Sequence, residues 1–221
     1  ARTTPEAPEL QGALAAARDR GARAVAMEVS SHALDLHRVD GTRVAVAAFT
    51  NLSQDHQDHH GTMEAYFSAK ARLFTPALAD RAVVVTDDPH GRLLLDSAQV
   101  PTVGVGLADA RDLRLGPTAS TFTWRDHEVR VPLPGRFNVR NALVAAEVAV
   151  AAGIDPATVA AGIAAAPPVP GRMEAVDEGQ PFAVVVDYAH TPDGITQALA
   201  ALREVSAGRL TIVFGCGGDR D

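Results

Sequence analysis

The sequence is short of several things, and each shortage excludes something. It holds one cysteine, Cys216, in 221 residues. No internal disulfide framework can form, and a reducing compartment is expected. No apolar run approaches the roughly 20 residues of a membrane span, and no signal-like segment opens the chain, so a cytoplasmic protein without a membrane partner is expected. Aromatic residues make up 5% of the chain. Positive charge is also scarce: the formal net charge is −7, with an isoelectric point near 5.6. That balance argues against bulk nucleic-acid or anionic-membrane binding and leaves a local phosphate site open. Lysine is as scarce as cysteine. Lys70 stands alone, and every other fixed cation is arginine. Guanidinium stays charged, whereas a lysine amine can lose its proton and react. The plainer alternative is a lysine that lays its stem along apolar surface and its head in water.

What is present suits an α/β protein of one large or two modest domains. Thr3-Thr4-Pro5-Glu6 leads into a helix over Ala7–Gly21. Ala22–Val29 reads as a buried strand carrying Glu28 near its end, before Ser30-Ser31-His32. Val44–Phe49 and Ala82–Thr86 are further strands, the second followed by a helix ending at Ala98. Strands alternating with helices imply a parallel, doubly wound sheet. Val103–Val105, Leu113–Leu115, Thr121–Trp124 and Val129–Val131 are short runs split by turn signals, as in a small antiparallel meander with Arg125-Asp126-His127-Glu128 at a hairpin tip. Two helices follow, Val139–Ala152 and Pro156–Ala165, and then a proline cluster at Pro167, Pro168 and Pro170. That cluster marks the expected domain boundary, giving domains 1–168 and 169–221. Beyond it, Phe182–Val186 delivers Asp187, Asp193–Val205 is a helix, and Leu210–Phe214 is a strand running into a glycine-rich turn. One βαβ unit of a second parallel-sheet domain is expected there. The chain opens without Met and stops just after that turn, which is read as a fragment of something longer.

The chemistry concentrates in Asn51–Lys70, which gathers Asp55, His56, Asp58, His59 and His60 ahead of an amphipathic helix. Tyr66, Lys70, Leu73 and Phe74 share one stripe of that helix. A solvated, helix-capping loop is the bland explanation. The other is a ligand site, because open α/β sheets bind ligands where their strands end. Glu28 and His56, at the ends of two expected neighbouring strands, could share a divalent cation, with Asp55 or Asp58 orienting the ring. Magnesium, zinc and manganese remain open on donor chemistry, and no HExxH or paired-cysteine pattern narrows them. Asn138 and Asn141, three apart, could contact a base edge, or Asn138 could be a helix cap. Arg172 could bind phosphate and Asp187 a ribose hydroxyl, unless the two form a salt bridge between domains. No phosphate-binding G-x-x-x-x-G-K-[ST] loop occurs.

Taken jointly, the motifs resemble the Mur ligases, and specifically the MurE type. The residues that carry the resemblance are Thr3-Thr4-Pro5, Met27-Glu28-Val29-Ser30-Ser31-His32, and Phe49-Thr50-Asn51-Leu52-Ser53 with Asp55-His56 and Asp58. His60-Gly61-Thr62-Met63-Glu64, Ala69–Phe74, Pro134–Asn138 and Asn141-Ala142 extend it, and Pro170–Glu174, Asp187–Asp193 and Phe214–Asp221 complete it. It covers nearly the whole chain. The implied fold is a Mur-ligase central domain, a parallel P-loop-type sheet flanked by helices with a small antiparallel meander, then the start of a Rossmann-like C-terminal domain. The implied activity is ATP-dependent addition of a diamino acid to UDP-N-acetylmuramoyl-L-alanyl-D-glutamate through an acyl phosphate, in peptidoglycan synthesis.

By motif, the resemblance implies that Glu28, His56 and Lys70 are catalytic and hold Mg²⁺, with Lys70 carbamylated by CO₂ into an oxygen ligand. Asn138, Asn141, Arg172 and Asp187 would bind ATP. Thr3, Thr4, Ser30 and Arg38 would bind the UDP-muramoyl dipeptide. A cytoplasmic monomer is the family expectation. The resemblance places the P-loop upstream of Thr3 and the segment that selects the amino acid downstream, so this chain alone is expected to be inactive. Leu36, Gln54, Gln57 and His59 depart from the family pattern, His59 standing where a tyrosine is usual. Competing expectations are a related amide ligase of different substrate, a metal-dependent phosphohydrolase using Glu28, His56, Asp58 and His60, and a non-catalytic relative.

Overall fold

The computed structural model describes residues 3–52, 57–167 and 169–215. The chain divides into two compact units, Ala1–Val105 and Gly106–Asp221. The boundary expected at 168/169 lies inside the second unit.

The first unit opens on α1 (Ala7–Asp19), started by Glu6, whose backbone N–H donates to Glu9 at 3.4 Å in a capping box. Next comes α2 (Ser31–Asp35), capped by the Ser30 hydroxyl, which accepts from the Ala33 N–H at 3.2 Å. Then follow β1 (Val44–Phe49), the single turn α3 (Gln57–His60) and α4 (Met63–Ala71), whose start is capped by Thr62. A 3₁₀ turn at Arg72–Phe74 leads to β2 (Ala79–Val85), α5 (Pro89–Ser97) and β3 (Thr102–Val105). The strands run in the order β1-β2-β3, all parallel, with Ala47 opposite Ala82 and Val84 opposite Gly104. The expected parallel sheet is therefore present. Leu10, Leu34, Phe49, Tyr66, Phe74, Val84 and Leu94 form its core.

Two expectations change here. Thr102–Val105 belongs to this parallel sheet rather than to the meander. Gly104 shows why: a Cβ there would lie 2.6 Å from Thr86 and 3.1 Å from Leu95, so only glycine lets α5 and the end of β2 close over β3. Ala22–Val29 forms no strand. Its apolar residues find no ladder partner among the described residues, and Val25 stays 53% exposed. Only Met27 and Val29 pack against the core.

The second unit contains the meander β4 (Arg111–Leu115), β5 (Ser120–Trp124) and β6 (His127–Val131), paired antiparallel in that order. Its tip is the two-residue turn Arg125-Asp126, both with positive φ, the backbone that suits a tight hairpin. Then come α6 (Arg136–Ala151) and α7 (Pro156–Ala164), the latter packed on α6 and β6. The last elements are β7 (Glu174–Val176), β8 (Val184–Val186) and α8 (Pro192–Glu204). β7 and β8 pair antiparallel, and Leu210–Phe214 forms no strand, so the expected βαβ pairing is not formed among the described residues. Val213 is 95% exposed and Phe214 68%. A strand needs a ladder partner, and none faces these residues among the described ones.

A polar knot joins meander to helix. Glu147 of α6, 9% exposed, accepts from the Trp124 indole N–H at 2.8 Å and from Arg125 at 2.8 and 3.1 Å. The hydrogen bonds that Arg125 donates to Glu147 raise its guanidinium above its already high ordinary pKa. No described helix is long and apolar enough to cross a membrane.

Candidate active site

Three of the four expected substrate-binding residues meet in the first unit. Thr4, 1% exposed, donates its hydroxyl to the Glu28 carbonyl at 3.0 Å and accepts from the Ser30 N–H at 3.0 Å. A threonine with no helical duty thus pins residues 28–30 and sets Ser30 to cap α2. Arg38 joins them from the chain beyond α2, donating to the Thr4 carbonyl at 3.4 Å and pairing with Glu6 at 3.2 Å. Its side chain is 12% exposed, and its Nε is buried without a hydrogen-bond partner among the described residues. A buried guanidinium N–H with no acceptor is costly, and such groups mark places where a ligand or water completes the shell. Thr3 is exposed beside them, and Leu36 is exposed at the end of α2.

Glu28 departs from its expected setting. It closes no strand, and its side chain is exposed while its carbonyl is held by Thr4. An exposed carboxylate is accessible to a cation. Lys70 lies half-buried on α4, with Nζ 5.2 Å from the centre of the Tyr66 ring. That contact suits an ammonium group, and it gives the lone lysine a fixed place on the stripe read from the sequence. His56 and Asp55 lie outside the described residues, so the structure reports no geometry between His56, Glu28 and Lys70.

Several contacts that organise this region could not be read from the sequence. Tyr66 is sandwiched between Lys70 and His60, whose ring stacks on it at 5.1 Å. Arg72, two residues past Lys70, donates to the Leu34 carbonyl at 2.6 Å and so ties the end of α4 to α2. Asp88 caps α5 through the His90 and Gly91 N–H groups and also accepts from the Leu52 N–H at 3.2 Å. That last bond ties the loop after β1 to the start of α5. An Asp before a proline-led helix reads as a cap; its second partner, 36 residues away, could not be read.

In the second unit, Asn138 and Asn141 sit in the first turns of α6. The cap is Gly135, so the Asn138 cap reading does not hold; Asn138 instead donates its amide to the Pro134 carbonyl at 2.8 Å. A Cβ on Gly135, at φ 94°, would come within 2.9 Å of Ala201 on α8, so glycine permits that approach. Asn141 is exposed. Arg172 and Asp187 do not pair among the described residues. Asp187 accepts from the Met173 and Ala189 N–H groups at 2.9 and 2.8 Å, locking the end of β8 to the residue before β7. Arg172 lies over the Tyr188 ring at 5.1 Å and is exposed. Its guanidinium is accessible to an anion.

The first unit is an α/β protein with an open parallel sheet, a class that binds ligands where the strands end. Comparison with known proteins specifies which kind. The profile described as Mur ligase middle domain matches residues 1–149, and that described as Mur ligase, glutamate ligase domain matches residues 171–221. The chain belongs to the Mur ligase family. It is 53% identical to the UDP-N-acetylmuramoyl-L-alanyl-D-glutamate–2,6-diaminopimelate ligase of Streptomyces avermitilis, over 100% of this chain and 46% of that protein. It is 43% identical to the enzyme of the same name from Geobacter metallireducens, over 99% of this chain and 46% of that protein. A solved structure of a ligase with that name superposes with a TM-score of 0.79 at 36% identity, covering 99% of this chain and 48% of that one. MurF from Acinetobacter baumannii shares the fold at a TM-score of 0.64 and 23% identity, over 73% of this chain and 38% of that one. The chain spans about half the length of the curated relatives it matches.

Proposed function

We propose that this chain is the central and early C-terminal part of a cytoplasmic, ATP-dependent ligase of the MurE type. It adds a diamino acid to UDP-N-acetylmuramoyl-L-alanyl-D-glutamate in peptidoglycan synthesis and acts as a monomer. The single observation that carries this reading is the Thr4–Ser30–Arg38 cluster, in which a nearly buried arginine keeps one N–H without an acceptor. Identity above half to a ligase so named supports it. The proposed domains are 1–168 and 169–221, and the two family matches flank that boundary, ending at 149 and resuming at 171.

The donor chemistry fits the cofactor. Glu28 offers an exposed carboxylate oxygen of the kind Mg²⁺ prefers, and His56 is the second ligand by motif. Mg²⁺ with ATP supplies the phosphoryl group and neutralises the charge that develops on it. The chain does the rest. Thr4 fixes residues 28–30, Ser30 and Thr3 orient the muramoyl peptide, and Arg38 takes an anionic group of that substrate on its incomplete side. Lys70 is held against Tyr66 at a defined depth. Addition of CO₂ to its neutral amine, with loss of a proton, converts it from a cation into a carboxylate-like oxygen ligand. Asn138, Asn141, Arg172 and Asp187 serve the nucleotide.

The test is ligation by the protein that carries this chain, with the UDP-muramoyl dipeptide, ATP, and either meso-diaminopimelate or lysine. Lys70→Ala is expected to lower kcat by about a hundredfold or more, with partial recovery on adding short carboxylic acids. A metal-dependent phosphohydrolase would ignore that substitution. Activity in Lys70→Ala equal to the parent, or phosphate release without amide formation, would sink the ligase reading.

A further inference from the structure

Two histidines that follow β1 do something the ligase reading leaves unused. His59 and His60, expected as ordinary loop residues, lie in the single turn α3 and face the end of α2. His59 Nε2 lies 3.0 Å from Asp35 Oδ2. His60 Nε2 lies 2.9 Å from Ser31 Oγ. A third imidazole, His32, lies against both, tilted on His59 with ring centres 4.0 Å apart and edge-on to His60 at 5.4 Å. One donor atom from each of Asp35, His59 and His60 lies within 4.8 Å of the other two.

Two imidazoles and one carboxylate converging from two elements form a donor set with a definite preference. Imidazole suits zinc and its first-row neighbours, whereas magnesium prefers all-oxygen surroundings. Ligands on a tetrahedral zinc at about 2.1 Å stand about 3.4 Å apart, so a small contraction of these side chains completes the set. The Asp35 and His59 side chains are 51% and 29% exposed, so a cation can enter and a water can fill the fourth position. The Ser31 hydroxyl orients the His60 ring through its contact with Nε2. We propose that Asp35, His59 and His60 bind one zinc-type divalent cation, clipping α3 to α2. This site shares no residue with Glu28, His56 and Lys70, and it stands whether or not the ligase reading does.

The test is titration of the metal-stripped, tag-free chain with Zn²⁺ alone in excess Mg²⁺, followed by calorimetry, with Co²⁺ absorption as a second readout. One equivalent is expected to bind, to raise the melting temperature, and to give the intense visible bands of four-coordinate Co²⁺. His59→Tyr and Asp35→Asn, both at exposed positions, are expected to weaken binding by about tenfold or more. His56→Gln and His127→Gln are expected to leave it unchanged. Folding of each variant is checked by circular dichroism. The proposal is overturned by no stoichiometric binding, by binding that Mg²⁺ displaces, by binding that survives His59→Tyr in the folded chain, or by binding lost with His56→Gln.

Discussion

Two polar clusters, one in each unit, look alike on paper and differ in one respect. Around Glu147, a nearly buried carboxylate has every strong donor it can use: an indole N–H and two guanidinium N–H groups within 3.1 Å. Around Arg38, a nearly buried guanidinium has Thr4 and Glu6 on one side and nothing described against its Nε. The first network is closed and the second is open. A closed network holds two elements together and has no capacity left for a ligand. An open one leaves an unsatisfied donor that a substrate group can complete, so its free energy is realised on binding. The contrast separates structural polarity from functional polarity without appeal to sequence similarity.

The comparison can be broken from either side. The largest effect belongs to the closed knot. Glu147→Ala strands the Trp124 indole N–H in the core and is expected to cost about 3 kcal/mol. Urea denaturation measures it, and Arg125, nearly half exposed, contributes the lesser share. Next comes the open cluster. Arg38→Ala is expected to raise KM for the UDP-muramoyl dipeptide by about tenfold or more, with a smaller effect on kcat, measured by steady-state ligation. The smallest effect is at a cap that belongs to neither cluster. Asp155 accepts from the Thr158 hydroxyl and from its N–H at 2.9 Å, and these bonds, the hydroxyl first, lower its pKa below the ordinary 3.8. Because the folded value is the lower one, its contribution to stability is present above the ordinary value and is lost as pH falls through the native one. Asp155→Asn is expected to flatten the acid limb of the stability profile while leaving the neutral region nearly unchanged. Melting temperatures between pH 2 and pH 7, set by about these limits of carboxylate titration, check it.

Legibility in the sequence follows the same division. Periodicity and capping chemistry made α1, α5, α7, the β5–β6 hairpin and the stripe bearing Tyr66 and Lys70 readable, because each is decided within a few residues. The failures are all matters of partnership. Residues 22–29 and 210–214 have strand-forming composition, but composition does not supply a ladder partner. Thr102–Val105 carries no mark of parallel or antiparallel pairing; Gly104, with Thr86 and Leu95 above it, decides the matter in three dimensions. The helix expected from Val139 begins instead at Arg136, behind Gly135 at φ 94°, a backbone turn that glycine permits and periodicity does not reveal.

The site was legible in kind and less so in arrangement. Thr4, Ser30 and Arg38 were readable as motif members, yet their mutual bonds, and the buried unpaired Nε that gives Arg38 its interest, appear only in the fold. Glu28 was expected at a strand end and is instead exposed on a segment held through its carbonyl. The pairing of Asp35 with His59 across 24 residues could not be read, since neither residue is distinctive alone. His56 lies outside the described residues, and its role rests on motif.

The most direct measurement is a crossed one, made in the protein that carries this chain: KM for the UDP-muramoyl dipeptide and the urea midpoint, for Arg38→Ala and Glu147→Ala side by side. The account expects Arg38→Ala to raise KM while nearly preserving the midpoint, and Glu147→Ala to lower the midpoint while nearly preserving KM. An Arg38→Ala variant that loses stability and keeps its KM would contradict it.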